Sequence, residues 1–275
     1  MNRVLVALAA VISLSSAATG QIDQSALMER FLAYKYGSDR AVLDEVAAWA
    51  SDARKDPNRR KEAASELAGV LSSNAALEVK QSACRNLVLL ATEDQITPLA
   101  KLLQDEDLAH YAVLALAHIS GNAVDDLLRM ELKRTSARTQ TEIIDILGER
   151  QCSAAIPDIT AYLESPDLST SESAASALAK TANWLASGPL IQAYRRADNA
   201  RSLMLGHAVL DFGSRLLRAG DRGRALTVFE TLDRTTTDAP TGAAAFLGIV
   251  KIKGANGLPE VMKALGEDGS LRQSV

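Results

Sequence analysis

Three stretches far apart in the chain repeat one apolar pattern. They are ITPLAKLLQDED (96–107), IPDITAYLESPD (156–167) and LPEVMKALGEDG (258–269). Each carries apolar residues at its first, fourth and eighth positions: Ile96, Leu99 and Leu103; Ile156, Ile159 and Leu163; Leu258, Val261 and Leu265. Steps of three and four residues place a stripe on one helix face. Each stretch then enters an acidic or Gly/Pro-containing turn. Weaker copies anchor at Leu127, Leu190 and Val228, so the fourth-position anchors fall at 99, 127, 159, 190, 228 and 261. The intervals between them are 28, 32, 31, 38 and 33 residues.

A second helical run precedes each copy: 79–91, 108–119, 138–149, 171–182, 202–217 and 242–252. Val79, Ala83, Leu87 and Leu90 show the helical period. YAVLALA (111–117) is apolar almost all round, which predicts a helix covered on both sides. No β-branched alternation marks a strand, and Gly and Pro sit between the helical runs. The unit is therefore a helix–turn–helix pair of about 32 residues, repeated at least six times. Such a pair cannot bury its apolar face alone, but stacked pairs share one continuous core.

The predicted fold class is all-α, an α-solenoid of about seven stacked antiparallel helix pairs forming a single domain over 21–275. Residues 25–36, 39–53 and 59–73 also read as helices but fit the period less well. The stretch 21–75 is thus expected to be an irregular N-terminal cap, with repeats over 76–269. RKDPNRRK (54–61) reads as a solvated loop and helix start. The closing SLRQSV (270–275) aligns with Val79-Lys80-Gln81-Ser82-Ala83 and reads as the start of a further, unfinished repeat.

This pattern resembles the HEAT-repeat family, in the form of exported bacterial HEAT/PBS-lyase-like repeat proteins. The resemblance rests on the apolar second helix, the Asp-rich turn (Asp105, Asp107, Asp167, Asp268) and a following apolar–basic pair. That pair appears as Val79-Lys80, Ala137-Arg138, Ala200-Arg201 and Leu271-Arg272. It implies that the base ties one repeat to the next. Two units depart from it: 108–110 read LAH and 168–170 read LST, so their turns are expected to be held differently. LRAGDRGRALTVFETLDR (217–234) looks closer to a tetratricopeptide helix pair and accounts for the 38-residue interval. The resemblance covers roughly residues 40–275. It also implies that such arrays are often followed by further domains, some of them sugar-active.

Composition narrows the picture. The chain has 275 residues, 47% hydrophobic but only 4% aromatic, so the core is expected to be built from Ala and Leu. A net charge of −4 argues against nucleic acid as a partner, because wrapping it needs many bases to release counterions. At the N-terminus, MNR is followed by the apolar run VLVALAAVISL (4–14) and the small residues SSAATG. This fits a secretory signal peptide over 1–20, cleaved after Ala18 or, preferably, Gly20. An 11-residue run is too short to span a bilayer, which takes about 20 residues. The expectation is an exported protein, periplasmic or secreted, with no stable membrane insertion after cleavage.

Export permits disulfides, but Cys84 and Cys152 lie two units apart. At about 10 Å per unit they should be ~20 Å apart, against the ~7 Å between Cα atoms that a disulfide needs. Two separate buried thiols are expected.

Candidate chemistry is sparse. His110 and His118 do not share a helix face, His207 is remote, and no His-Glu dipeptide occurs, so no metal is expected. His110 stands where other units carry a base, which points to turn capping. Nucleophile-elbow, phosphate-loop, dinucleotide-loop and C-x-x-C motifs are absent. The acids of EDQ and QDED fall in turns, where caps are expected rather than catalysis. Trp49 and Trp184 are expected to pack at helix junctions, Trp184 with partial exposure.

One charge feature stands out. Residues 195–234 hold eight arginines, no lysine and five acids. Arg195, Arg196, Arg201, Arg215, Arg218, Arg222 and Arg224 form the candidate anion- or partner-binding ridge, because guanidinium groups grip carboxylate, sulfate or phosphate bidentately. The competing reading is that they pair with nearby turn acids. The functional expectation is a non-catalytic, cofactor-free, monomeric scaffold outside the cytoplasm, binding a protein partner, with acidic proteins among the candidates, on a concave surface. The alternative is the N-terminal array of a longer secreted protein whose activity, with carbohydrate among the candidate substrates, lies beyond residue 275.

Overall fold

The computed structural model describes residues 23–257, 259 and 262. The stretch expected to be a leader (1–20), the closing SLRQSV (270–275) and most of the third apolar copy (258–269) lie outside them. The described residues form fourteen α-helices and no strand. In chain order these are α1 Gln24–Leu32, α2 Ala41–Ala53, α3 Pro57–Leu71, α4 Leu77–Leu90, α5 Ile96–Ala100, α6 Ala109–Ala117 and α7 Asn122–Glu131. They continue as α8 Ala137–Glu149, α9 Ile156–Thr160, α10 Leu168–Lys180, α11 Ser187–Arg196, α12 Asn199–Arg218, α13 Arg222–Thr235 and α14 Ala239–Lys253.

Aspartates set the helix starts. Asp23, Asp56, Asp167, Asp198, Asp221 and Asp238 each accept a backbone N–H from the first turn of α1, α3, α10, α12, α13 and α14. A cap of this kind is worth about 1 kcal/mol. Asp105 does the same for the turn into α6, accepting from the N–H groups of Asp107 and Leu108. Of the acids expected to cap, Asp105 of QDED does so, whereas at EDQ the capping box is formed by Thr92 and Gln95 and not by the acids.

The helices form two layers. In the first, α2, α4, α6, α8, α10, α12 and α14 pack each against the next. In the second, α3, α5, α7, α9, α11 and α13 each pack on the first-layer helix that follows. Contacts run from neighbour to neighbour, the hallmark of a solenoid. α2 and α3 continue both layers at the N-terminal end, and α1 covers α2.

Two second-layer helices are shorter than the 1-4-8 stripe predicts. α5 and α9 have five residues each, preceded by the 3-10 turns Glu93–Gln95 and Ser153–Ala155. Another 3-10 turn, Trp184–Ala186, opens α11. Past α5, the N–H groups of Leu102 and Leu103 bond back three residues to Leu99 and Ala100, and Tyr162 and Leu163 repeat this after α9. Three-residue closure still points the stripe residues Leu99, Leu103, Ile159 and Leu163 inward, and all four are buried.

One anchor moves. Leu127 is only half-buried, whereas Val124, Leu128 and Leu132 are fully buried. Val124 keeps the predicted first position, but the stripe then steps by four to Leu128 and Leu132, so the anchor moves to Leu128 and the intervals become 29 and 31.

The core is Leu- and Ala-rich, and small residues allow very close approach. A Cβ built on Gly148 of α8 would lie 2.6 Å from Ala177 Cα of α10. The ring of Phe229 in α13 fills the space between Gly213 of α12 and Gly248 of α14. Both cysteines are free and buried. Burial pushes the Cys84 thiol up to about 12 and raises that of Cys152 as well.

Candidate functional site

The predicted arginine ridge divides into two groups. Arg195, Arg196 and Arg201 lie at the α11–α12 turn. Arg196 pairs with Glu164 at 3.7 Å, and the Arg201 guanidinium donates to the Ser165 carbonyl at 2.8 Å. Arg196 and Arg201, with Leu163, Asp198 and Leu205, line an open groove of about 430 Å³; Arg195 does not reach it. Arg215, Arg218, Arg222 and Arg224 lie at the α12–α13 turn. Arg215 and Arg218 share Asp211 at 2.7 and 3.7 Å. Arg222 donates to the Ile252 carbonyl at 2.5 Å, and Arg224 pairs with Asp221 at 3.2 Å.

The twenty-residue α12 explains the split. Arg201 and Arg218 stand at its two ends, about 25 Å apart at 1.5 Å per residue. The chain reverses at both ends, so an arginine-rich run in sequence becomes two clusters at opposite edges. A single contiguous ridge is therefore corrected to two groups. Six of the seven arginines already have partners; Arg195 has none. Among the described residues, of the bases that the family resemblance named only Arg201 makes the inter-repeat tie; Arg272 lies outside them. Arg138 bonds Glu142 within its own helix. In the LST unit, Ser171 takes over, its hydroxyl donating to the Leu163 carbonyl at 2.6 Å.

Two other tying arginines carried no sequence signal. Arg150 donates to the carbonyls of Ala117, Ile119 and Gly121 at 3.1, 2.8 and 2.7 Å and also pairs with Asp125. Arg60 donates to the carbonyls of Leu90 and Ala91 at 2.9 and 3.0 Å. Both satisfy carbonyls at the end of a first-layer helix, which lack an intrahelical donor. Their acceptors are backbone atoms about thirty residues away, so side-chain pattern could not reveal them.

The histidines do not converge. His110 Nδ1 lies 3.1 Å from Glu142 Oε1, which links α6 to α8; it does not cap a turn as expected. The correction has a simple geometric cause: His110 falls inside α6, facing its first-layer neighbour. His118 bonds the Leu114 carbonyl of its own helix at 2.9 Å. Among the described residues, no three His, Cys, Asp or Glu side chains are placed to hold a metal, and no helix is long and apolar enough to cross a membrane. Trp49 is buried. Trp184 is half-buried beneath the Arg224 guanidinium, 5.4 Å from its ring centroid.

The first layer presents the broadest continuous surface. Each helix from α4 to α12 spends two sides on first-layer neighbours and a third on the second layer, leaving the fourth free. Leu89, Leu114 and Leu203 are exposed on α4, α6 and α12, and Leu247 on α14, the last described helix of the layer; Leu203 and Leu247 are exposed by 48% and 54%. Polar links stitch the helices side by side. Arg85 of α4 lies 5.4 Å over Tyr111 of α6, Thr141 of α8 bonds Thr170 of α10 at 2.9 Å, and Lys180 of α10 pairs with Glu149 of α8 at 2.7 Å.

Mid-layer, α8 carries Glu142, Asp145 and Glu149 in one line. Burial raises the Asp145 carboxyl above its ordinary range; a hydrogen bond from Ser173 and the charge of Lys180 offset this in part, and Glu149 and Glu142 add to it. A raised folded-state pKa favours the fold below the ordinary Asp range and is lost as pH rises through the raised value. Asp145→Asn keeps a partner for Ser173 and removes the buried charge. It is expected to raise the melting temperature at pH 7, with the gain vanishing near pH 3, as read by thermal denaturation at both pH values.

No family model matches the chain, and no curated protein matches it. Among solved structures, an engineered protein from the Northeast Structural Genomics Consortium is 19% identical over 88% of this chain and 72% of its own, with a TM-score of 0.44. The complex of CpcE and CpcF of phycocyanin lyase from Nostoc sp. PCC7120 is 15% identical over 88% of this chain and 99% of that one, also with a TM-score of 0.44. At this level of likeness the functional reading rests on the chain's own residues.

Proposed function

We propose that the chain is a non-catalytic scaffold that binds a protein partner across its first-layer surface. The observation that carries this reading is the row of exposed leucines, Leu89, Leu114, Leu203 and Leu247, set among charged residues on helices that stack side by side. Apolar anchors with a charged surround are what protein interfaces use. Neighbour-to-neighbour stacking makes the surface long, so recognition is spread over several units. The arrangement needs no cofactor. Export by the N-terminal leader, with a periplasmic or secreted location, belongs to the same proposal, as do a monomeric state and a partner that is not nucleic acid.

The test is capture of a partner from the native source by the immobilised protein and by two surface variants. Leu203→Glu with Leu247→Glu is expected to reduce recovery of the captured protein at least tenfold. Met130→Glu, at a somewhat more exposed apolar position on the second layer, is expected to leave recovery unchanged. Equal recovery by all three would contradict the reading.

A further inference from the structure

A second site lies at the N-terminal end of the array. The turn between α1 and α2 stands off from α4, and the two enclose an open groove of about 410 Å³. That volume falls in the range of about 300–1,000 Å³ typical of ligand sites. Tyr36, Arg40, Glu78, Gln81 and Arg85 are among its lining residues. Gly37, at φ 86°, makes the turn that presents Tyr36, the most exposed of the large apolar side chains at 86%.

The arginines give the groove its character. Of the described arginines, all but Arg40, Arg54, Arg85 and Arg195 bond a carboxylate or a backbone carbonyl. Two of these four, Arg40 and Arg85, line the same groove. Arg85 is held in place by its contact with Tyr111, a cation–π pairing that leaves the N–H edge of the guanidinium unspent. Two guanidinium groups that bond no carboxylate or carbonyl, in a chain of net charge −4, form a recognition element for carboxylates.

The remaining lining residues select among anions. Glu78 repels a dense polyanion but accepts hydrogen bonds from amide N–H groups, and Gln81 both donates and accepts. Tyr36, together with buried Tyr34 and Leu43, adds apolar surface for the non-ionic part of a ligand. We propose that this groove binds an acidic peptide segment of a protein partner, its carboxylates on Arg40 and Arg85 and an apolar side chain against Tyr36. The choice of a peptide rests on the reading of the chain as a protein-binding array; the groove itself does not.

Binding of a fluorescein-labelled peptide, Glu-Glu-Leu-Glu-Glu-Leu-Glu-Glu, followed by fluorescence anisotropy, tests this on the full chain. The peptide is expected to bind and to weaken with added salt, and its all-Lys counterpart is expected not to bind. Arg40→Gln and Arg85→Gln are each expected to weaken binding about tenfold, the worth of one charge-assisted contact. Arg40 makes no ion pair, so Arg40→Gln should keep the parent melting temperature, whereas Arg85→Gln also loses the Tyr111 contact and should lower it slightly. Arg54→Gln, which alters an unpartnered arginine outside the groove, should bind like the parent. Absence of peptide binding, or equal binding by the Arg40 and Arg85 variants, would overturn the proposal. Binding of oligogalacturonate or inorganic phosphate in place of the peptide would overturn it too, by assigning the groove to another anion. Any of these failures leaves the capture test at Leu203 and Leu247 unaffected, because those residues belong to α12 and α14.

Discussion

Gly148→Val is expected to destabilise the array by about 3 kcal/mol, at the upper end of the range for overpacking. α8 and α10 approach so closely at this point that a methyl group on Gly148 would meet Ala177 Cα at 2.6 Å and its Cβ at 2.7 Å. The obstacle is backbone, so no rotamer change relieves it and the two helices must part. Separation would also stretch the Thr141–Thr170 and Glu149–Lys180 links that run alongside. Gly148→Ala should act in the same direction but less strongly, since better helix propensity offsets about 1 kcal/mol of the strain. Gly69→Ala is the control: nothing lies within 4 Å of the added methyl, and a gain of up to about 1 kcal/mol is expected. Because units contact only their neighbours, damage at α8 and α10 should also weaken coupling between the two halves of the array. Urea unfolding of Gly148→Val is therefore expected to shift to lower concentration and to broaden or split.

The second large effect is expected at Arg150. Its side chain is only 16% exposed, and that of its partner Asp125 only 15%. Arg150→Met removes the donors to three carbonyls and strands Asp125 with no opposite charge. Breaking a buried pair from one side costs about 3–5 kcal/mol, and a loss of about 3 kcal/mol is expected here. Adding Asp125→Leu should recover part of it, since the orphaned carboxylate is then gone, while the three carbonyls stay without their donor. Arg150→Lys should resemble Arg150→Met, because a single ammonium cannot span acceptors from Ala117 to Gly121. Equilibrium denaturation of the two single variants and the double variant reads all of these effects.

Much of the fold was legible in the sequence. The apolar stripes located every first-layer helix to within a few residues, because a helix buried on one face must repeat at its own period. Asp167 and Asp105 were readable as caps because capping depends on short-range spacing. The error at α7 was of a different kind. Leu127 and Leu128 are adjacent leucines, either of which continues a helical stripe from Val124, and only packing decides which one turns inward.

The candidate sites were less legible. The arginine run looked continuous because sequence proximity hides the length of α12, which carries its two ends to opposite edges. His110 finds Glu142 thirty-two positions later, a pairing set by how α6 lies on α8. Arg150 and Arg60 act on carbonyls, which are the same in every residue and leave no mark in a sequence. The Arg40–Arg85 groove joins a turn to a helix forty-five positions on, and the lack of acid partners that defines it appears only once every arginine has been placed.

Site-specific photocrosslinking tests the central claim most directly. A benzophenone amino acid is placed in turn at Leu114, Leu203 and Leu247 on the first layer and at Met130 on the second, and the protein is irradiated in its native extract. The account predicts one shared crosslinked protein at the three first-layer positions and none at Met130. Crosslinks confined to Met130, or none at any of the three leucines, would contradict it.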